Sequence, residues 1–194
     1  MPEILESEPL FLREWFEAGP LEVEIGCGRG KFLLDRAQAN PGIRFLGIDR
    51  VAKWMKRSSQ KVEKRQIGNL LFVKSEVREI LFQIPPESTS VFHIYFPDPW
   101  LKRRHLRRRL LTPDFLVLLY RRLFAGGFVE MATDNADYFA QMKKSAEQTR
   151  LFWQSIRESG ERLFEGMPTH YENKFTARGL PLYYLELQKI GRPS

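Results

Sequence analysis

The sequence predicts an α/β fold: a mostly parallel seven-stranded sheet with helices on both faces. Three observations predict it. Strand-like apolar runs alternate with helical ones, a glycine-rich turn joins the first strand to the first helix, and an aspartate closes the second strand. The 194 residues fit one domain with a sizeable core, expected as a single unit over 1–194 with residues 1–19 as an N-terminal capping segment.

Taken in order, residues 21–25 read as the first strand, which ends at Gly26, Gly28 and Gly30. A helix over 31–39 stops at Pro41-Gly42. Residues 44–48 form the second strand, and 51–66 a basic amphipathic helix. Gly68-Asn69 turns the chain into a third strand at 70–73, a short helix near 77–82 precedes Pro85-Pro86, and 91–95 is the fourth strand. Thr112-Pro113 reads as an N-cap with proline at the first helical position. The Leu- and Arg-rich helix it opens is expected to end at Gly126-Gly127. Residues 128–132 give the fifth strand, 135–148 a helix, and 151–156 and 181–189 the last two strands with a loop between them. Residues 10–16 read as a short amphipathic helix capping the sheet.

Composition narrows the class. At 43% hydrophobic and 13% aromatic residues the chain is globular, not disordered. Glu3, Glu6 and Glu8 stand where a signal peptide needs basic residues, and no apolar run approaches the ~18 residues of a membrane span. One cysteine, Cys27, excludes an internal disulfide framework and fits a reducing cytoplasm; three scattered histidines offer no metal-ligand spacing. The net charge of +7 points to a polyanionic partner. Residues 98–122 hold eight Lys/Arg and two Asp, a local balance of +6 and nearly the whole excess.

The chemistry-bearing residues fall at the ends of the predicted strands. Glu24-Ile25-Gly26-Cys27-Gly28-Arg29-Gly30 follows the first strand and opens a helix, and glycines there let the backbone turn sharply and approach a ligand. Nineteen residues past Gly30, Asp49 ends the second strand, where a carboxylate can accept both hydroxyls of a ribose. A dinucleotide fingerprint would need glycine at position 31, where Lys31 stands. The E-x-G-x-G-x-G spacing instead resembles the first motif of Rossmann-like S-adenosylmethionine methyltransferases. That resemblance implies that Glu24 orders the glycine loop and the methionine end of the cofactor and that Asp49 holds the ribose. Ser75-Glu76, after the third strand, occupies the place of the adenine contact; either residue aligns with it, and Ser75 reads equally well as a helix N-cap.

After the fourth strand comes Phe96-Pro97-Asp98-Pro99-Trp100, followed by six Lys/Arg within residues 102–109. Two prolines around one aspartate make a rigid turn that aims the carboxylate from the strand end, and Phe96 and Trp100 offer flat faces to a planar base. This segment resembles the F-P-D-P-W-x-K signature of bacterial tRNA (guanine-N7)-methyltransferases. The likeness extends over residues 24–184 and includes Ala132-Thr133-Asp134, Thr169-His170-Tyr171-Glu172 and Arg178-Gly179-Leu180-Pro181. The resemblance implies S-adenosylmethionine as cofactor, bound by Glu24, Gly26, Gly28, Gly30, Asp49, Glu76 and Asp98. It further implies tRNA as partner, with the variable-loop guanine as target. Asp98 would be the catalytic carboxylate, and Lys102, Asp134, Thr169, His170, Tyr171 and Glu172 would contact the substrate. Asp134 also reads as an N-cap of the helix that follows, and Thr169–Glu172 as a loop. Asp49 stands where the family commonly has glutamate.

Guanine N7 carries an in-plane lone pair and no proton at neutral pH, so methylating it needs alignment and charge stabilisation, not a deprotonating relay or a metal. The basic run beside Asp98 would bring phosphates to that site. Competing readings are a methyltransferase for another RNA or DNA atom and a non-catalytic RNA-binding module. The expected enzyme is cytoplasmic, and a monomer or homodimer.

Overall fold

A computed structural model describes residues 15, 16, 19–151, 156–159 and 168–190. The elements are β1 (Leu21–Ile25), α1 (Lys31–Ala39), β2 (Arg44–Asp49), α2 (Ala52–Lys64), β3 (Leu70–Lys74), α3 (Val77–Gln83), β4 (Thr89–Tyr95), a 3₁₀ helix (Arg103–Arg108), α4 (Pro113–Arg122), β5 (Leu123–Thr133), α5 (Ala136–Thr149), β6 (Ile156–Ser159), α6 (His170–Thr176) and β7 (Tyr183–Gln188). One seven-stranded sheet has the order β3-β2-β1-β4-β5-β7-β6. Pairing is parallel from β3 to β5, while β7 runs antiparallel to both β5 and β6. The strand order reverses between β1 and β4, and the crevice outside the carboxyl ends of such strands is where open α/β sheets bind ligands.

Each face of the sheet buries its own core. Phe32, Leu33 and Leu34 of α1 and Met55 and Val62 of α2 pack on Phe45 and Phe72 on one side. Ile80, Phe115, Leu119, Tyr138 and Met142 from α3, α4 and α5 cover Val23, Leu46, Phe92 and Ile94 on the other. Phe16 joins this second core with Trp15 against it, and both are helical; the rest of the expected helix over 10–16 lies outside the described residues. Among the described residues no helix is long and apolar enough to cross a membrane.

Three expectations are corrected. The Leu/Arg helix stops at Arg122, not at Gly126-Gly127, because the Arg121 and Arg122 carbonyls accept from the Glu87 and Ser88 amides and draw the chain into the sheet. Gly126 and Gly127 instead sit in a bulge of β5: Thr89 pairs with Leu123 but Val91 with Phe128. A Cβ at Gly127 would press on the Ser90 carbonyl, so glycine is required there. The penultimate strand is Ile156–Ser159, not 151–156, and residues 152–155 lie outside the described part. Between β6 and β7 the expected loop contains α6, opened by a capping box in which the Thr169 hydroxyl accepts from the Glu172 amide and the Glu172 carboxylate from the Thr169 amide.

Beneath α1 the sheet carries charge where a doubly covered sheet is normally apolar. In register across the strands lie Glu24 and His93, His93 and Glu130, and Glu130 and Glu186. His93 is fully buried; its Nε2 lies 2.9 Å from Glu22 Oε2, and its Nδ1 3.0 Å from Glu130 Oε2. The Tyr95 hydroxyl donates to the same Glu130 oxygen (2.8 Å), and Arg36 of α1 donates two bonds of 2.8 Å to Glu22. Burial alone would push the Glu22 carboxyl up, but hydrogen bonds from His93 and Arg36 hold it down at about 2. Burial would likewise lower His93, yet its bonds to Glu130 and Glu22 raise it to about 9. Glu22 and His93 are therefore both charged at neutral pH.

Its contribution to stability has two limits. The Glu22 part is present above the ordinary carboxylate value of 4.5 and is lost as the pH falls toward about 2. The His93 part is present below 6.5 and is lost as the pH rises toward about 9. His93→Gln, which leaves both carboxylates without their shared cation, should lower the unfolding free energy by about 3–5 kcal/mol in urea titrations at neutral pH. A change under about 1 kcal/mol, the range of an exposed ion pair, would mean that the cluster carries no such weight.

Candidate active site

The glycine loop hangs from the ends of β1 and β2. Gly26 and Cys27 donate to the Ile48 carbonyl (2.8 and 3.1 Å), and Gly26, Gly28 and Gly30 have φ of 78, 51 and 63°, conformations that glycine adopts without strain. Their roles differ. A Cβ at Gly26 would meet nothing, so open space lies over the loop, whereas a Cβ at Gly30 would overlap the Phe72 ring. Gly30 is thus needed for packing and for its place as the N-cap of α1.

Glu24 is the unsatisfied group beneath this loop. It is 6% exposed, and its Oε2 has no hydrogen-bond partner among the described residues. Burial raises its carboxyl to about 8, with Asp49 adding to the rise and His93 opposing it. Asp49 Oδ2 accepts from the Gly28 amide (2.8 Å) and Oδ1 from the Val51 amide (2.9 Å), so it also holds the loop against β2. Ser75 does not cap α3: its hydroxyl donates to Glu79 at 2.8 Å, and Glu76 takes the N-cap position without a side-chain bond. Glu76 is partly exposed, with Arg50 3.7 Å away. Glu24, Asp49 and Glu76 give this end of the sheet three carboxylates. That set fits a ligand bearing an ammonium and hydroxyl donors, and it repels a pyrophosphate.

The turn after β4 is held from outside. Phe96 donates its amide to the Ala132 carbonyl (2.8 Å), and Phe96 and Trp100 both adopt left-handed backbone (φ 52 and 45°), a conformation that costs a non-glycine residue. Between them Asp98 is exposed and makes no hydrogen bond or ion pair with any described residue. Arg109 is the clamp. It is 4% exposed and donates to the Pro99 carbonyl (2.7 Å), to Gln141 (2.8 Å) and to Asp137 (2.7 Å), with its guanidinium 4.7 Å from the Tyr138 ring centre. The run 102–109 is therefore not uniformly a binding surface. Lys102, Arg103, Arg104, Arg107 and Arg108 are exposed, and Arg108 lies over Trp100 at 5.1 Å. One face of Trp100 is thus taken by Arg108, and His105 packs edge-on against the same ring.

Asp134 follows β5 beside the turn. Asn135, not Asp134, caps α5 by accepting from the Tyr138 amide (2.8 Å), so the half-buried Asp134 carboxylate has no partner among the described residues. The Thr169–Glu172 segment divides. Thr169 and Glu172 are buried in the capping box, and both Glu172 oxygens are engaged, one by the Thr169 amide and the other by the Tyr184 hydroxyl (3.1 Å). His170 and Tyr171 are exposed, and the Tyr171 ring lies 6.0 Å from Phe96 and 5.8 Å from Phe175. Tyr171 and Phe175 were beyond the turn motif itself; together with Phe96 they form an aromatic wall beside Asp98. Among the described residues no group of His, Cys, Asp and Glu is gathered to hold a metal.

Residues 18–185 match a family model described as "Putative methyltransferase". The tRNA (guanine-N(7)-)-methyltransferase of Mycoplasma genitalium is 31% identical over 182 residues, covering 90% of this chain and 87% of that protein. The enzyme of the same description from Myxococcus xanthus is 32% identical over 190 residues, covering 95% and 90%. Among solved structures, an antibiotic-related methyltransferase superposes with a TM-score of 0.68 at 17% identity, covering 98% of both chains.

Arg109→Ala should destabilise the fold by about 2–3 kcal/mol, the scale of a lost charged hydrogen-bond set, whereas Arg107→Ala should stay within about 0.5 kcal/mol. Urea unfolding of the two variants side by side checks this; equal, small effects would return Arg109 to the solvent-exposed run.

Proposed function

The chain belongs to the tRNA (guanine-N7)-methyltransferase family, and from that premise we propose that it transfers a methyl group from S-adenosylmethionine to N7 of a guanine in tRNA, the variable-loop guanine. The observation that carries the reading at residue level is Asp98: an exposed, unpartnered carboxylate on a clamped turn, next to an aromatic wall and a basic collar. In this reading S-adenosylmethionine supplies an electrophilic methyl on a cationic sulfur. Glu24 receives its ammonium group, Asp49 its ribose hydroxyls and Glu76 its adenine amino group, with Gly26, Gly28 and Gly30 shaping the loop. The buried Glu24 oxygen without a partner supports such a ligand.

The chain's own residues then do three things. Lys102, Arg103, Arg104, Arg107 and Arg108 hold phosphates and bring one base to the turn. Tyr171, with Phe96 and His170 around it, provides the flat contact for that base. Asp98 accepts from guanine N1–H and N2–H₂, which orients N7 and stabilises the positive charge left on the ring. Asp134 is the second acceptor; Glu172 and Thr169 serve by building α6. N7 loses no proton in the reaction, so no general base is assigned. The same reading makes the chain a single-domain cytoplasmic enzyme, a monomer or homodimer, working without a metal; the free thiol of Cys27 is in keeping with a reducing compartment.

Incubation with unmodified tRNA and labelled cofactor, followed by digestion and identification of the nucleoside, tests the reaction. N7-methylguanosine is expected; another methylated nucleoside, or binding without transfer, would replace this reading. Asp98→Asn should cut single-turnover transfer by about a hundred- to a thousandfold, or ~3–4 kcal/mol, with tRNA affinity retained. A rate within threefold of the parent would leave Asp98 a turn residue only.

Cofactor binding should also release a proton. With its carboxyl raised to about 8, Glu24 is mostly protonated at pH 7, and the ligand's ammonium group takes the proton's place. Calorimetry with S-adenosylhomocysteine in buffers of different ionisation heat should therefore show close to one proton released per site at pH 7. Affinity should climb toward pH 8 and then level off. Glu24→Gln should abolish the release; a parent enzyme that releases none would mean that Glu24 is already ionised.

A further inference from the structure

The outer face of α2 is a second basic surface that the site described above does not use. Met55, Ser58, Ser59 and Val62 are buried, while Lys53, Lys56, Arg57, Lys61 and Lys64 are exposed. Residues 50–65 hold seven Lys/Arg against a single acid, Glu63. None of those five exposed cations has an ion-pair or hydrogen-bond partner among the described residues.

Folding gains nothing from this arrangement. Lys53 and Arg57, and Arg57 and Lys61, are like charges four residues apart, which repel on a helix surface. Lys53 lies in the first turn, where the helix dipole is positive, and Val51 at the N-cap offers no side-chain bond to the free amides. An external polyanion relieves both defects. The stripe from Lys53 to Lys64 rises about 16 Å at 1.5 Å per residue, room for several consecutive phosphates.

Its position favours RNA over an acidic protein or a membrane. The apolar side of α2 is spent on the core, and the exposed Val51 and Trp54 at its near end make no continuous apolar face to enter lipid. At the near end Trp54 is 46% exposed with the Arg29 guanidinium 5.6 Å from its ring, a stacked pair of the kind that receives bases. The Ser58 hydroxyl donates to the Arg29 carbonyl, tying α2 to the glycine loop. In the sheet, β2 and β4 are separated by β1 alone, a spacing of about 10 Å. One folded RNA can therefore rest on the residue 102–108 collar and on α2 at once. We infer that α2 is a second tRNA-backbone contact, flanking the cofactor mouth on the side away from that collar. This rests on the tRNA reading above.

The test is the triple variant Arg57→Ala, Lys61→Ala, Lys64→Ala beside a collar variant Arg103→Ala, Arg104→Ala, Arg107→Ala. For the α2 variant the slope of log affinity for tRNA against log salt should flatten by about two units, at about 0.7–0.9 per phosphate contact. Its KM for tRNA should rise about tenfold or more, with kcat at saturating tRNA and affinity for S-adenosylhomocysteine unchanged. An unchanged slope and KM in the α2 variant, with the collar variant flattened, overturns this inference alone and leaves the stripe to an acidic protein or to solvent. If neither variant alters tRNA binding, the tRNA reading itself fails and this inference with it.

Discussion

His93 is a cation inside a covered sheet, and the arrangement around it constrains the rest of the molecule. A buried carboxylate is costly unless it is paired; here one imidazolium and the Arg36 guanidinium serve Glu22 and Glu130 together. Because Arg36 belongs to α1, the pairing also fixes how that helix lies over the strands, with Phe32 edge-on to His93 at 5.0 Å. The first turn of α1 is the end of the glycine loop, so its geometry is inherited from charges a full helix turn deeper. Glu24 is next in the same row. It sits close enough to His93 to feel its charge yet has no bond to it, which leaves a buried carboxyl oxygen unpaired beneath the loop.

The chain thereby separates two electrostatic jobs. At the ends of β1, β2 and β3 it collects carboxylates, suited to a small cationic ligand. Around that acidic pocket it spreads arginine and lysine, suited to a polyanion many times larger. Asp98 stands at the boundary. It is exposed among cations without bonding to any of them, because the Arg109 that could have neutralised the turn is engaged with Asp137, Gln141 and the Pro99 carbonyl. Burying that one arginine keeps the loop rigid and the carboxylate free.

How much of this was legible in the sequence depended on how local each cause is. The five parallel strands, the glycine loop, Asp49 and the Asp98 turn follow from short-range patterns: period, proline, glycine and a strand end. Arg109 could not be told from its neighbours, because its burial is decided by α5, about 30 residues further on. The His93 cluster was hidden for a related reason. Glu22 and Glu24 alternate with apolar residues as on a solvent-facing strand, and only the covering by α1 turns them inward. Thr169-x-x-Glu172 is a capping-box pattern that announces a helix start where a loop is expected, while the basic amphipathic pattern of residues 51–66 already marks the charged face of α2. Gly126-Gly127 has the composition of a helix end, but the register between β4 and β5, which no local pattern encodes, makes it a bulge.

The two left-handed residues bracketing Asp98 bear on how such a chain can change over time. At φ 52 and 45°, positions 96 and 100 would be held more cheaply by glycine or asparagine than by Phe and Trp. Selection for heat tolerance alone would therefore pull both positions toward small residues and relax the turn. The Phe96 part of the aromatic wall and the Arg108 perch on Trp100 would disappear in the same step. Bulky rings at a pair of unfavourable dihedrals make this corner one where backbone ease and aromatic packing draw on the same residues in opposite directions, and any stabilised descendant would have to gain its margin elsewhere in the sheet.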